Sequence, residues 1–291
     1  MMTMLISVIA NVILAPIFIK GFGWGIKGAA AATFCAMVIG FGFVMHHFMN
    51  KNSFIRLRSK NIRPDKKIIL SIASIGMSPF LMQVAASAVV FFIIYQLRKF
   101  SGDDTHAGDV AIGAFTIANT LVMLIVMIVI GLTQGMQPIV GYNYGAKNYS
   151  RVKDILMYTI KVGTCITCFG FILGFFMPRV FVGIFGPGEV LASAASTALR
   201  YIVLAFPVVG FQIVAANFFQ SIGMAGKSIF LSLTRQFLFL IPLLFILPRF
   251  FGINGVWLSM SSADFLATFV TLILLIYQIR AFRKLEQNSV K

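Results

Sequence analysis

The stretch Gly131–Lys153, GLTQGMQPIVGYNYGAKNYSRVK, decides how this chain is read. A long apolar run reaches Thr133-Gln134-Gly135. Pro138, Gly141 and Gly145 follow with Tyr142 and Tyr144, then the basic residues Lys147, Arg151 and Lys153, before a new apolar run opens near Ile155. Glycine loosens a helix and proline interrupts one. The pattern predicts a membrane helix that breaks at Gly135-Met136-Gln137-Pro138 and continues as irregular backbone to a basic turn. Such backbone survives at membrane depth only where protein or a water-filled cavity receives its polar groups. The stretch therefore predicts a helix junction inside a polytopic bundle.

The rest of the composition agrees with a membrane setting. With 59% hydrophobic residues, 11% charged residues and a mean hydropathy of +0.94, the chain carries too little charge for a soluble domain. Many apolar runs are long enough to cross the hydrocarbon core as helices, which takes about 20 residues. The alternating segments of a membrane barrel are not visible. A net charge of +16 would also suit nucleic acid, but most Lys and Arg sit in the short gaps between apolar runs, where they set topology. No nucleic-acid partner is expected; membrane lipid is. Cys35, Cys165 and Cys168 all lie in apolar runs, and the last two, although spaced as CxxC, have no second ligand pair, so they read as small packing residues. No cleavable leader is expected ahead of the first span.

Eight spans are predicted, at 3–19, 28–48, 68–97, 111–134, 152–177, 190–221, 229–247 and 255–279. The gap at 49–67 holds Lys51, Arg56, Arg58, Lys60, Arg63, Lys66 and Lys67 against Asp65 and is assigned to the cytoplasm. The gap at 98–110 holds Asp103, Asp104 and Asp109 and is assigned outside. Alternation then puts Lys147, Arg151 and Lys153 inside, Arg179 outside, Lys227 and Arg235 inside, Arg249 outside, and the tail with Arg280, Arg283, Lys284 and Lys291 inside. Both termini are expected in the cytoplasm of a multi-pass membrane chain.

An internal repeat links the two ends. Pro16-Ile17-Phe18 with Gly25-Ile26-Lys27-Gly28 matches Pro248-Arg249-Phe250 with Gly252-Ile253-Asn254-Gly255. Paired halves with the substrate path between them are a common transporter plan. On this reading, 1–48 holds the last two helices of an N-terminal lobe, 49–67 is a basic cytoplasmic linker, and 68–291 is a complete six-helix C-terminal lobe. Four further helices are expected upstream.

These features together resemble the multidrug and toxic compound extrusion (MATE) family, in its MepA-like branch. The residues that carry the resemblance are Gln137-Pro138-Ile139-Val140-Gly141-Tyr142-Asn143-Tyr144-Gly145-Ala146-Lys147, then Phe218-Phe219-Gln220-Ser221-Ile222-Gly223 with Ser232-Leu233-Thr234-Arg235-Gln236, and Gly252-Ile253-Asn254-Gly255-Val256-Trp257 with Asp264. The resemblance implies the fifth to twelfth spans of a twelve-span secondary transporter. It also implies small-molecule drugs and organic cations as partners, H⁺ or Na⁺ as coupling ion, no further cofactor, and rocking of two lobes. The acidic residue that many members carry in the first span would lie upstream of Met1.

Among polar residues within spans, Asp264 is the carboxylate placed deepest, and such groups are functional candidates by default. Ser261, Asp264, Thr268 and Thr271 share one helical face at about 100° per residue; the stripe faces either the lobe interior or a neighbouring helix, and Asp264 is either an ion or substrate group or a structural one. Arg200 either snorkels to the interface or pairs with a carboxylate. Gln83, Asn119, Asn217 and Gln220 either line a drug path or tie helices together. Pro79, Pro207 and Pro242 are expected to kink their helices. The abundant Met and Phe suit promiscuous binding as well as lipid contact.

Enzyme chemistry is not expected: His46, His47 and His106 have no clustered acids or thiols to form a metal or catalytic set, and no phosphate-cradling loop is present. The reading is an all-α polytopic bundle serving drug efflux. A lipid-linked oligosaccharide flippase of the same superfamily is the nearest alternative and would need a basic cavity, whereas only Arg200 and Lys161 count as intramembrane cations. A non-transporting scaffold or remnant is the other.

Overall fold

The computed structural model describes residues 2–49, 65–102 and 105–289, and among them every extended segment is helical. Most of the expected linker, with Asp103, Asp104 and Lys291, lies outside the described residues. Among the described residues, seven helices are long and apolar enough to cross a membrane, or eight if a bent pair at 189–221 forms one span. The all-α polytopic architecture is therefore as the apolar runs predict. Contacts divide the chain into two compact units, Met1–Leu70 and Ser71–Lys291.

In the first unit, α1 (Met2–Pro16) passes into a π-helical turn, Ile17–Gly21, and α2 (Gly25–Met49) folds back on it. The rings of Phe18, Phe22 and Trp24 gather at this turn, and Asn11 Nδ2 donates to Thr33 Oγ1 at 3.2 Å across the helix pair.

The second unit contains the rest of α3 (Lys66–Phe100), then α4 (Thr105–Gly145), α5 (Tyr149–Phe176), α6 (Pro178–Gly183), α7 (Glu189–Val203), α8 (Phe206–Ser221) and α9 (Ala225–Leu233). A π-helical segment, Thr234–Leu240, joins α9 to α10 (Ile241–Phe251), and α11 (Ile253–Ser289) closes the unit. The repeat read from the ends has a backbone counterpart. Gly25 and Gly252 both take positive φ, +53° and +57°, at the start of their helices. Three residues on, a Cβ at Gly28 would lie 2.6 Å from Phe18 O and one at Gly255 2.4 Å from Leu247 O. Both hairpins thus close on a helix whose backbone abuts the preceding one.

Three expectations are corrected. First, α4 does not break at Gly135–Pro138; it runs unbroken for 41 residues with Pro138 inside it. At about 1.5 Å per residue that is about 60 Å, twice the hydrocarbon thickness of about 30 Å. Pro138 falls in the last two turns, where water can take the carbonyl that proline leaves unpaired. The chain reverses only after Gly145: Asn148 N–H donates to Asn143 O at 2.9 Å and Lys147 N–H to Tyr144 O at 3.0 Å, a Schellman cap. Lys147 holds its left-handed position at φ +57°. Second, the span expected at 190–221 is two helices, α7 and α8, bent by 58°. Pro207 lies in the first turn of α8 and cannot bond to Val203, where α7 ends. Third, the seventh span starts near Gly226 rather than 229 and carries the π-helical segment, in which Ile241 N–H reaches back five residues to Gln236 O, just before Pro242. The three prolines are distributed differently from a set of simple kinks: Pro207 marks a break, Pro242 follows the π segment, and residue 79 lies within continuous α3.

The interior of the second unit has two apolar cores. One gathers Phe115, Leu121, Leu199, Phe206, Leu244 and Trp257; the other Val129, Leu156, Val214, Phe218, Leu231 and Leu275. On α8, on α9–α10 and on α11, the buried polar residues Gln212, Thr234, Asp264 and Thr271 fall between the two sets. Helix α5 meets α8 through small residues: a Cβ on Gly210 would lie 2.6 Å from Gly163 O and 2.5 Å from Thr167 Oγ1. Thr159, Gly163, Thr167, Gly170 and Gly174 form the buried face of α5, while Cys165 is exposed and Cys168 half-buried, both as free thiols. Cys165 therefore does not serve as a packing residue.

Candidate functional site

The polar residues between the two cores converge on α8, α9 with its π segment, and α11. Asp264, on α11, is buried, and its Oδ1 accepts no conventional hydrogen bond; instead Arg235 Nε lies 2.5 Å away as an ion pair. Arg235 was assigned above to a cytoplasmic gap. It stands ten residues into the 26-residue apolar span Gly226–Phe251, so it is an intramembrane cation. A charge at that depth is costly unless paired, and Asp264 supplies the pairing. The π segment carries both Arg235 and Gln236, and π turns recur at functional positions because they re-aim side chains within a helix.

The polar stripe on α11 faces neighbouring helices. Gln212, buried on α8, donates from Nε2 to Thr268 Oγ1 at 2.6 Å and to the Asp264 carbonyl. Ser261 donates to the Tyr201 carbonyl, which also accepts from Leu204 N–H at 3.4 Å where α7 ends. Thr271 Oγ1 turns back to Ala267 O at 2.8 Å.

Beside the ion pair lies a cavity of about 210 Å³. Gln212, Asn217, Ser232, Arg235, Gln236 and Thr271 form its polar wall; Met82, Ile130, Ile213 and Leu231 are among its apolar lining. The pair is presented to it unequally: the Arg235 side chain is 40% exposed and that of Asp264 10%.

The MatE family model matches residues 105–246. A curated relative, "Multidrug export protein MepA" of Staphylococcus aureus (strain bovine RF122 / ET3-1), is 29% identical over 280 residues, covering 96% of this chain and 60% of its own. The chain is similar to the MATE family, by a match that spans a little under half of its length. It thus spans about 60% of the length of the curated relatives it matches. The fold of this chain is also that of a solved structure described as "MATE in complex with MaL6", with a TM-score of 0.85, 24% identity, and coverage of 97% of this chain and 63% of that one. A second, an "outward-facing conformation of a multidrug resistance MATE family transporter of the MOP superfamily", has a TM-score of 0.85 at 23% identity, covering 97% and 62%.

The residues singled out from the sequence do not converge on one site. Asn217 lines the cavity, donates to Ile213 O at 2.8 Å and accepts from Gln137 Nε2 at 3.3 Å, so the motif residue Gln137 ties α4 to α8. Gly141 lets α4 approach the Ser221 carbonyl, which a Cβ would meet at 3.4 Å. Pro138 and Gly145 belong to the end of α4, and Lys147 to its cap. Arg200 neither meets a carboxylate nor simply snorkels: its Nε donates to Phe175 O at 3.2 Å, capping the last turn of α5. Gln83 and Gln220 are exposed and Asn119 is half-buried; none of the three lines this cavity. Thr116 and Thr120 bond to carbonyls of their own helix at 2.9 and 2.8 Å, and Lys161 is exposed on α5. Sequence reasoning missed Gln212, Arg235 and Gln236. Gln212 was visible as an amide inside the apolar run Phe206–Phe219. Arg235 and Gln236 lie within the expected 229–247 span, but Arg235 was counted with the cytoplasmic charge and so was not considered as an intramembrane group.

Proposed function

We propose that this chain serves secondary active multidrug efflux, exporting organic cations and other amphipathic drugs in antiport with H⁺ or Na⁺ across a bacterial plasma membrane, with both termini in the cytoplasm. The name of the staphylococcal relative supports drug export. The observation that carries the reading on this chain is the cavity itself: a mainly apolar chamber with one polar wall among membrane-length helices, where a part-exposed Arg235 pairs with the buried Asp264. Such a chamber accepts ligands by shape and a few polar contacts. Its ion pair is a group whose partner can be exchanged as ligand or coupling ion enters. Asp264, Asn217 and Gln212 are proposed as pathway residues, with Gln83, Asn119, Gln220 and Arg200 outside this cavity. A flippase would require a net basic cavity. Arg235 supplies one cation, and Asp264 cancels it at 2.5 Å.

The test is accumulation of a fluorescent lipophilic cation in a pump-deficient bacterium carrying the full reading frame that contains this chain. Expression should lower accumulation, and dissipating the H⁺ and Na⁺ gradients should restore it. Efflux that survives loss of both gradients, or accumulation unchanged by expression, would refute the proposal.

A further inference from the structure

The Arg235–Asp264 pair is neutral as a whole yet polarised toward the cavity. Asp264 is almost enclosed and spends its Oδ1 on Arg235 Nε, while the guanidinium side chain is 40% exposed on the cavity wall. With Nε turned to the carboxylate, the opposite Nη edge is left, and neither Nη has a hydrogen-bond partner among the described residues. That edge presents two roughly parallel N–H donors, the geometry that matches a carboxylate. The other amides are largely committed: Gln212 Nε2 to α11, and Asn217 to Ile213 O and Gln137. Gln236 Oε1 is a buried acceptor with no partner in the same wall, a second polar atom that the protein leaves unsatisfied.

We propose that this cavity is an anion subsite that takes the carboxylate end of an aromatic amphiphile, with the carboxylate on the free edge of Arg235. The size suits this: a cavity of about 150 Å³ holds benzene, and this one has about 210 Å³, with Met82, Ile130, Ile213 and Leu231 to receive a two-ring body. A cationic end is disfavoured at this edge because it would meet the positive end of the pair, with the compensating carboxylate behind it; the subsite therefore serves the amphipathic drugs of the proposed function that are not cations. The inference rests on the transporter reading only in taking the cavity as part of the substrate path. Its test is therefore binding and not transport.

The chain, purified in detergent, is titrated by calorimetry with 2-naphthoate, 2-naphthalenemethanol and 2-naphthylmethylammonium against empty-micelle blanks. The carboxylate should bind at least about tenfold more tightly than the ammonium, as a charge-assisted hydrogen bond implies. In the neutral double variant Arg235→Gln/Asp264→Asn, the preference should fall below about threefold while the alcohol binds as before, since only the charge-assisted bonds are lost. Equal or tighter binding of the ammonium to the unaltered chain, no measurable binding of naphthoate, or a carboxylate preference that persists in the double variant would each overturn the proposal. None of these results bears on gradient-driven efflux, so the transporter reading stands or falls by its own measurement.

Discussion

Removing one member of the Arg235–Asp264 pair should cost stability unequally, depending on which charge is left behind. Stranding a buried ion costs about 3–5 kcal/mol, and much less when the survivor can reach solvent. Asp264→Asn leaves Arg235, whose side chain is 40% exposed and can turn into the cavity, so the loss should be about 1–2 kcal/mol. Arg235→Gln leaves Asp264, only 10% exposed and without another partner for Oδ1, so the loss should be about 3–5 kcal/mol. The double variant leaves no orphaned charge and should recover to within about 1.5 kcal/mol of the unaltered chain. The assay is thermal unfolding of the four proteins in one detergent, followed by tryptophan fluorescence, with Trp257 buried in the second unit. Equal losses in the two single variants would refute the unequal presentation of the pair. A double variant as unstable as the sum of the singles would show that the two residues are not coupled at all.

The cap after α4 and the helix contacts offer further checks. Lys147→Gly should raise stability by about 1 kcal/mol, because a lysine holds a left-handed position there, whereas Lys147→Val should lower it. An unchanged melting temperature in both would remove the cap argument. Gly210→Ala and Gly255→Ala should each cost at least about 2 kcal/mol, since the new methyl meets backbone. Gly135→Ala, with open space around it and an ordinary helical φ, should be neutral or stabilising. For the proposed orientation, a cysteine at Asn148 should resist an impermeant thiol reagent in intact cells and one at Gly188 should react; the reverse pattern would invert the topology.

The motif Gln137–Lys147 illustrates how a sequence can point to the same family resemblance as the matched relatives through a wrong local structure. Its Pro and Gly suggest a break, but glycine and proline are tolerated in a helix whose end projects beyond the hydrocarbon, and Gly135 and Gly145 have no close neighbour that needs them. The actual reversal depends on a left-handed lysine, a conformation no propensity foretells. Arg235 was misplaced for a related reason. Charge patterning assumes that basic residues avoid the membrane, and that rule fails where a partner neutralises them from a helix nearly 30 positions away in sequence.

Composition and periodicity by themselves determined that this is an all-α membrane chain and where most of its spans run, because the cost of exposing backbone to hydrocarbon leaves few choices. They also exposed the repeat between the two ends, since both hairpins require a positive φ at Gly25 and Gly252 and a close backbone approach at Gly28 and Gly255. Only the tertiary structure decided what the polar residues do. Which of Asp264, Arg235, Gln212 and Asn217 face one another depends on helix rotation, on the 58° break at Pro207 and on the π segment at Thr234–Leu240. A hydrophobic pattern tells which face of a helix is buried, but the partner across it is set by packing between helices distant in the chain.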